Sequence, residues 1–393
     1  MQNSPTHLGL YIHIPFCTFQ CHYCDFAKTA NWDRTLIANY VQTLNHHLVI
    51  WLTEFVSRRA CVVDTLFLGG GTPGLLGGEL APLFQTFERF NLRFEEATIE
   101  CNPENLSAEK LKLWQSFGLN RLSLGVQSFQ AKGLRTLTRQ HSPEQVHHSL
   151  ALACQYFPNV SCDLIYAWQG QSLPDWQADL AVAVSHPLRH LSLYCLTYEE
   201  RTPFGRAQRR GRGGPDNEAF QAESYQYACQ FLADGGWEHY ECSNWARPNG
   251  MSRHNAKYWQ DEYFIGVGVG AWGYLPVGPT GTRYSYQRQE RPFTKAPPHE
   301  AVSFSELPFC DFENRKPEHW LIEYIGCGLR YKSGIDLELI QTKLGSRFQP
   351  KGLLVEALAD GRLREISRRL YLDPSEWFRE TRWCLEVLKS FVS

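Results

Sequence analysis

Cys17, Cys21 and Cys24 fall within eight residues, in the spacing Cys-x₃-Cys-x₂-Cys. Three thiolates on one short loop make a soft metal site, which suits zinc or an iron–sulfur cluster. Their number matters more than their spacing. A cubane cluster has four irons, so three protein thiolates leave one iron open to another molecule, much as a catalytic zinc site keeps a position open. Zinc with His13 or His22 as fourth ligand is the alternative. The other ten of the thirteen cysteines are scattered singly, which is not the spacing of a disulfide framework.

Further polar residues stand where short apolar runs end. Gly69-Gly70-Gly71-Thr72-Pro73 follows one run. Successive glycines allow close backbone approach to a ligand, and their N–H groups can meet an anion. The stretch is neither a GxGxxG fingerprint nor a P-loop. Glu100 and Gln127 end two more runs, and Asp163 interrupts SCDLIYA. A carboxylate on a buried strand is costly without a partner, so Asp163 carries the most information. Arg139, in LTRQHS, reads on its own as a surface residue. His254 offers an imidazole to a metal, and Tyr258 and Trp259 offer flat apolar surface to a ligand. The alternative is that His254 and Asn255 cap a loop while Tyr258 and Trp259 pack under the fold.

The elements that must position these groups are legible as alternating patterns. Strand-like segments are Leu8–Phe16, Val63–Leu68, Thr98–Cys101, Arg121–Val126, Val160–Ala167 and Leu191–Tyr198. Helical patterns separate them, the clearest after Asp33, a good N-cap, with Leu36, Tyr40, Leu44, Leu48, Trp51 and Phe55 on one face. Parallel neighbours need such crossovers. The expected fold is therefore α/β, a partial (β/α)₆ barrel, with a flat doubly wound sheet as the alternative. In a βα barrel, function collects at the C-terminal strand ends, where these polar residues fall. Arg206–Pro215 reads as an exposed loop. The expected domains are 1–281, a linker over 282–317 and a small helical, winged-helix-like module over 318–393, with a hairpin in RLREISRRLYLD.

Composition narrows the function. With 393 residues the chain is long enough for two or three domains at about 150 residues each. Lys and Arg number 39 against 41 Asp and Glu, a formal net charge of −2, which gives no reason to expect a nucleic-acid partner. The N-terminal segment lacks the pattern of a secretion signal, and the longest apolar stretch, Tyr263 to Gly278, is broken by glycines and a proline. A soluble, cytoplasmic protein is expected, touching membranes only through a partner.

YIHIPFCTFQCHYCDF resembles the first motif of radical S-adenosylmethionine (SAM) proteins, in the group around the oxygen-independent coproporphyrinogen III oxidase. The resemblance runs from about Leu8 to Gly273 and continues more weakly into the C-terminal module, as in GLRYKSGIDL. It implies that Cys17, Cys21 and Cys24 hold a [4Fe–4S] cluster whose open iron chelates the amino and carboxylate groups of SAM. An electron from the cluster then cleaves SAM to a deoxyadenosyl radical. It makes Gly70, Gly71 and Thr72 the SAM-binding glycine motif. Glu100, Gln127, Arg139 and Asp163 match SAM positions in order and spacing, and Tyr11, Tyr23, Cys24 and Asp25 join them around the cysteines. Members of the group can bind a second SAM.

Two features bear on the branch. The oxidases carry a further Cys two residues after the third, where this chain has Phe26. Arg253–Trp259 reads RHNAKYW, and HNxxYW marks the haem-chaperone branch. The resemblance therefore implies haem as cargo, with His254, Asn255, Tyr258 and Trp259 as candidate contacts, and implies haem-acceptor proteins and an electron donor as partners. On that reading the cluster and SAM are expected to regulate haem transfer, or an interface, rather than drive turnover. A radical SAM enzyme acting on a porphyrinogen is the alternative, so whether the chain is an enzyme stays open. The metal is directly testable: anaerobic purification is expected to yield iron with inorganic sulfide, and zinc without either would point to the zinc site instead.

Overall fold

The computed structural model describes residues 5–212, 217–288, 310–313 and 315–392. Six strands run in chain order as parallel neighbours: β1 (His7–Ile14), β2 (Val62–Gly70), β3 (Glu96–Cys101), β4 (Arg121–Gln127), β5 (Asn159–Tyr166) and β6 (His190–Cys195). In β1 the alternation is explicit. Leu8, Leu10, Ile12 and Ile14 are fully buried on the helix side, while the alternate residues Gly9, Tyr11 and His13 face the interior of the curled sheet. Asp33 caps the helix Arg34–Leu52 by accepting the Leu36 N–H at 2.7 Å. That helix buries Tyr40, Leu44, Leu48 and Trp51 against the sheet. The α/β expectation holds, and the sheet is mostly parallel.

The sheet does not stop at six strands. Tyr263–Val267 lies parallel to β1, and Trp272–Leu275, Thr282–Tyr286 and Cys310–Glu313 extend that edge antiparallel. Asn244–Ala246 and Glu238–Glu241 extend the β6 edge. The stretch 282–317, read from sequence as a linker, thus supplies two strands of the main sheet, and much of what lies between them falls outside the described residues. Its polar residues had masked short edge strands. Arg206–Pro215 also differs from the expected loop. Thr202 accepts the Gly205 N–H at 3.1 Å and Pro203 opens a helix, Pro203–Arg209; residues 213–216 lie outside the described set.

The last segment has its own core around Trp320, Leu354, Trp377 and Trp383. Its helices Pro317–Gly328, Leu337–Leu344, Leu353–Asp360 and Glu380–Leu388 surround the hairpin Leu363–Ile366/Arg369–Leu372. The module is bonded to the sheet edge by backbone: the Cys242 N–H donates to Arg330 O at 3.1 Å, and the Lys332 N–H to Tyr240 O at 2.9 Å. Among the described residues no helix is long and apolar enough to cross a membrane.

Candidate functional site

The cysteine loop leaves β1 and is clipped shut at its base. The Thr29 N–H donates to Pro15 O at 2.7 Å, the Cys17 N–H to Thr29 O at 3.0 Å, and the Trp32 indole to Cys17 O at 2.7 Å. Inside the clip, the Cys24 N–H turns back to Cys21 O at 3.3 Å. Two thiols already have donors aimed at them: Arg139 Nη1 lies 3.2 Å from Cys21 Sγ, and Thr72 Oγ1 lies 3.7 Å from Cys17 Sγ. Burial pushes the Cys17 thiol up to about 11, so a thiolate there needs a strong positive partner, which iron supplies. Three free thiols on one clipped loop fit a cluster in their chemistry, although among the described residues no three His, Cys, Asp or Glu side chains are gathered closely enough to hold a single metal ion. His13 is not an available fourth ligand for zinc. Its Nε2 donates to Ala27 O at 2.7 Å, its Nδ1 meets the Tyr11 hydroxyl at 3.0 Å, and burial lowers its pKa to about 4.

The glycine motif sits at the end of β2, pressed against this loop. Its amides are not open to an anion, contrary to expectation. The Gly70 N–H donates to Glu100 Oε2 at 3.1 Å, the Gly71 N–H to Ile14 O at 2.8 Å, and the Thr72 N–H to Phe16 O at 2.8 Å. What the glycines provide is proximity. A Cβ on Gly71 would lie 2.8 Å from Phe16 O and 3.0 Å from Cys17 Sγ, and Gly70 has φ +117° with the His13 ring against it.

The neighbouring strand ends converge on the same place. Arg139 is half-buried, and beyond Cys21 it reaches Tyr23 Oη at 3.3 Å, Asn102 Oδ1 at 2.6 Å and Gly125 O at 3.1 Å. It is not the surface residue its sequence suggests. Asn102 also donates to Thr72 Oγ1 at 3.2 Å, so it ties the glycine motif to Arg139. Sequence reasoning missed Asn102; its only signal was its place after Glu100. Gly125 was missed too, and a side chain there would strike Asn102 and Gln127. Gln127 takes φ +70° at a register shift in β4, a strained conformation typical of functional strand ends. Asp163 accepts the Ser123 hydroxyl at 2.9 Å and the Ser161 hydroxyl at 3.2 Å. Burial first, then the Asp163 charge, pushes Glu100 up to about 8; Asp163 is itself raised by burial. Two buried carboxyls whose charged forms are disfavoured by burial suit a cationic ligand.

Tyr11 lies deeper, its ring stacked on Phe67 at 6.1 Å between centroids. Asp25 stands apart from the strand ends: Arg288 holds its carbonyl at 2.8 Å and its carboxylate at 3.4 Å.

His254, Asn255, Tyr258 and Trp259 lie on the helix Arg253–Trp259, at the opposite end of the strands. Glu96, which opens β3, accepts the Arg253 and His254 N–H groups at 3.0 and 2.9 Å. His254 is fully buried inside the sheet, with Nδ1 2.9 Å from Thr65 Oγ1, Nε2 2.7 Å from Tyr258 Oη and its ring stacked on Phe67 at 5.4 Å. Both nitrogens are used, and burial lowers the ring pKa to about 3. The expectation of an open imidazole for haem iron is therefore corrected. His254 is closed in, and Trp259 packs beside Tyr240 and Tyr331.

A model of the radical SAM superfamily matches residues 11–182. The haem chaperone HemW of Lactococcus lactis is 35% identical, with 86% of each chain covered. That of Escherichia coli is 35% identical over 78% of this chain and 82% of its own. The chain belongs to the HemW family. A solved structure, coproporphyrinogen III oxidase (HemN) from Escherichia coli, aligns with a TM-score of 0.74 at 20% identity, covering 97% of this chain and 90% of that one. That likeness concerns the fold. It covers the curled sheet, within which the radical SAM model falls, and extends through the C-terminal module.

For this HemW-family chain, Gly71→Ala should fold but push the cysteine loop off the β2 end. Iron retained after anaerobic reconstitution is expected to fall to roughly half or less of the unchanged chain's, and full retention would show that the contact is dispensable. Glu100 gives a second test. A carboxyl whose pKa is raised in the folded chain binds its proton more tightly there, so its contribution is most favourable below its unfolded value of about 4.3 and is lost as pH rises toward about 8. Glu100→Gln is expected to stabilise the SAM-free chain by on the order of 1–2 kcal/mol near pH 8.5 and by little near pH 5. Thermal melts that show the larger gain at the lower pH would reverse the sign.

Proposed function

We propose that this chain is a cytosolic haem chaperone that binds haem, passes it to acceptor proteins and carries a [4Fe–4S] cluster and SAM. The observation that carries the reading is the similarity to HemW haem chaperones across most of both chains, 35% identity with 86% coverage for the Lactococcus lactis protein. In this reading Cys17, Cys21 and Cys24 hold the cluster. When bound, the cluster supplies an open iron for SAM and a reducing electron from a donor protein.

The chain's own residues then have distinct tasks. Arg139 and Thr72 donate toward two of the thiolates and temper their charge. Asn102 keeps those two donors in register. Glu100, Asp163 and Gln127 would hold SAM at the strand ends, and Tyr11 and Tyr23 would help exclude water from it. Haem at His254 requires the helix Arg253–Trp259 to swing out and give up its bonds to Thr65 and Glu96. That motion couples haem loading to the floor of the barrel.

Phe26, 66% exposed, occupies the position of the oxidases' extra cysteine, which weighs against decarboxylation of a porphyrinogen. The test is anaerobic reconstitution with iron and sulfide, followed by haem in one arm and coproporphyrinogen III with SAM and a reductant in the other. The expected result is a haem complex that survives gel filtration, weakens in His254→Ala, and appears without protoporphyrinogen formation. Porphyrinogen turnover without stable haem binding would overturn the reading in favour of the enzyme.

A further inference from the structure

Outside the strand ends, the cysteine loop forms one wall of a separate cavity of about 550 Å³, within the roughly 300–1,000 Å³ usual for small-molecule and cofactor sites. Cys21 and Cys24 belong to its lining. Cys17, the glycine motif, Glu100, Gln127, Arg139 and Asp163 do not. The far wall comes from the start of the helix Pro203–Arg209 and from Arg288. This is a second compartment beside the cluster loop, and of the residues assigned to SAM it includes only Cys24 and Asp25, both on that loop.

Its lining is chemically lopsided. Lys28, Arg201, Arg206 and Arg288 bring four cations against the single carboxylate of Asp25. Arg288 is engaged by Asp25, and Arg206 donates to the Arg201 carbonyl at 2.7 Å. The Arg201 guanidinium has no hydrogen-bond or ion-pair partner among the described residues. Between these charges stand aromatic faces, Phe19 and the exposed Phe26. His22 stands among them too. Its ring lies 6.1 Å from Phe19 and 6.0 Å from Phe204, edge-on to the latter. The imidazole is exposed, and its nitrogens have no hydrogen-bond partner among the described residues.

Arginines that converge on a space flanked by flat apolar rings suit a flat molecule bearing carboxylates, because guanidinium pairs with carboxylate in a planar, often two-pronged geometry. An open imidazole in the same wall suits a metal at the centre of that molecule. We propose that this cavity is a docking site for haem: Arg201 and Arg206 take its propionates, Phe19 and Phe26 flank the macrocycle, and His22 is offered to the iron. The inference rests on the haem-chaperone reading and adds a site that needs no rearrangement of the barrel, in contrast to the enclosed His254. Arg201 and Arg206 line the cavity, whereas Arg209 turns to the Glu200 carbonyl at 3.1 Å.

The test uses the full chain with its cluster reconstituted, titrated anaerobically with haem and with haem dimethyl ester, which lacks the propionate charges. The proteins are the unchanged chain, Arg201→Ala/Arg206→Ala and His22→Ala, with iron and sulfide measured before and after. The double arginine variant is expected to bind haem about ten-fold more weakly or worse and to lose the preference for free haem over its ester. His22→Ala is expected to change the haem absorption spectrum. Equal haem affinity and equal preference in the arginine variant would overturn the docking site while leaving the chaperone reading standing. Release of sulfide as haem binds would also overturn it, because the cavity would then be the cluster's own space. An unchanged chain that binds no haem would overturn both.

Discussion

An amide N–H can be given only once, and in this chain those of Gly71 and Thr72 are given to Ile14 and Phe16. Those two bonds bring the end of β2 against the first turn of the cysteine loop. Everything at the site follows from that closeness. Cys17 acquires the Thr72 hydroxyl as a neighbour, Thr72 binds Asn102, and Asn102 binds Arg139, which reaches back to Cys21. The chain of contacts is closed, so two thiols are fixed from two different strands. A loop carrying three thiols would otherwise spend much of its freedom away from the geometry a cluster needs.

The barrel interior pays for function in a different way, through charge. Glu100 and Asp163 lie on β3 and β5, either side of β4, with serines as neighbours instead of cations, and the buried Arg121 acts on them only through space. Arg121 is almost wholly buried, and its Nε has no hydrogen-bond partner. Such an arrangement is costly in an empty protein. It is relieved when a cationic ligand enters, so the interior is built to be more stable loaded than empty.

The parts of this structure visible in the sequence are those set by local periodicity or by a single chemical fact. The alternation of Leu8, Leu10, Ile12 and Ile14 gives β1, Asp33 gives a helix start, and three close cysteines give a metal loop. What the sequence hides is partnership at a distance. Nothing local to GGGTP tells that the Gly71 and Thr72 amides are taken by Ile14 and Phe16, far earlier in the chain, and the Gly70 amide by Glu100, well after it. Arg139 reads as a surface residue because its partners, Cys21 and Asn102, lie far away along the chain. Likewise the imidazole of His254 is quenched by Thr65, 189 positions away, and Asn102 carries no sign of its bridging position. The edge strands Thr282–Tyr286 and Cys310–Glu313 are short and polar, and only their pairing makes them strands.

The helix Arg253–Trp259 is held at three points by three different parts of the molecule. Glu96 grips its N-terminus, and Lys257 reaches Asp64 at 3.1 Å. Just past its C-terminus, Asp261 accepts the Trp320 indole of the C-terminal module at 2.7 Å and lies 3.9 Å from Arg315. The helix is therefore a lever with its fulcrum on the sheet and its long arm in the hands of the module. Any shift of the module would reach the helix that carries His254 through the Asp261–Trp320 bond.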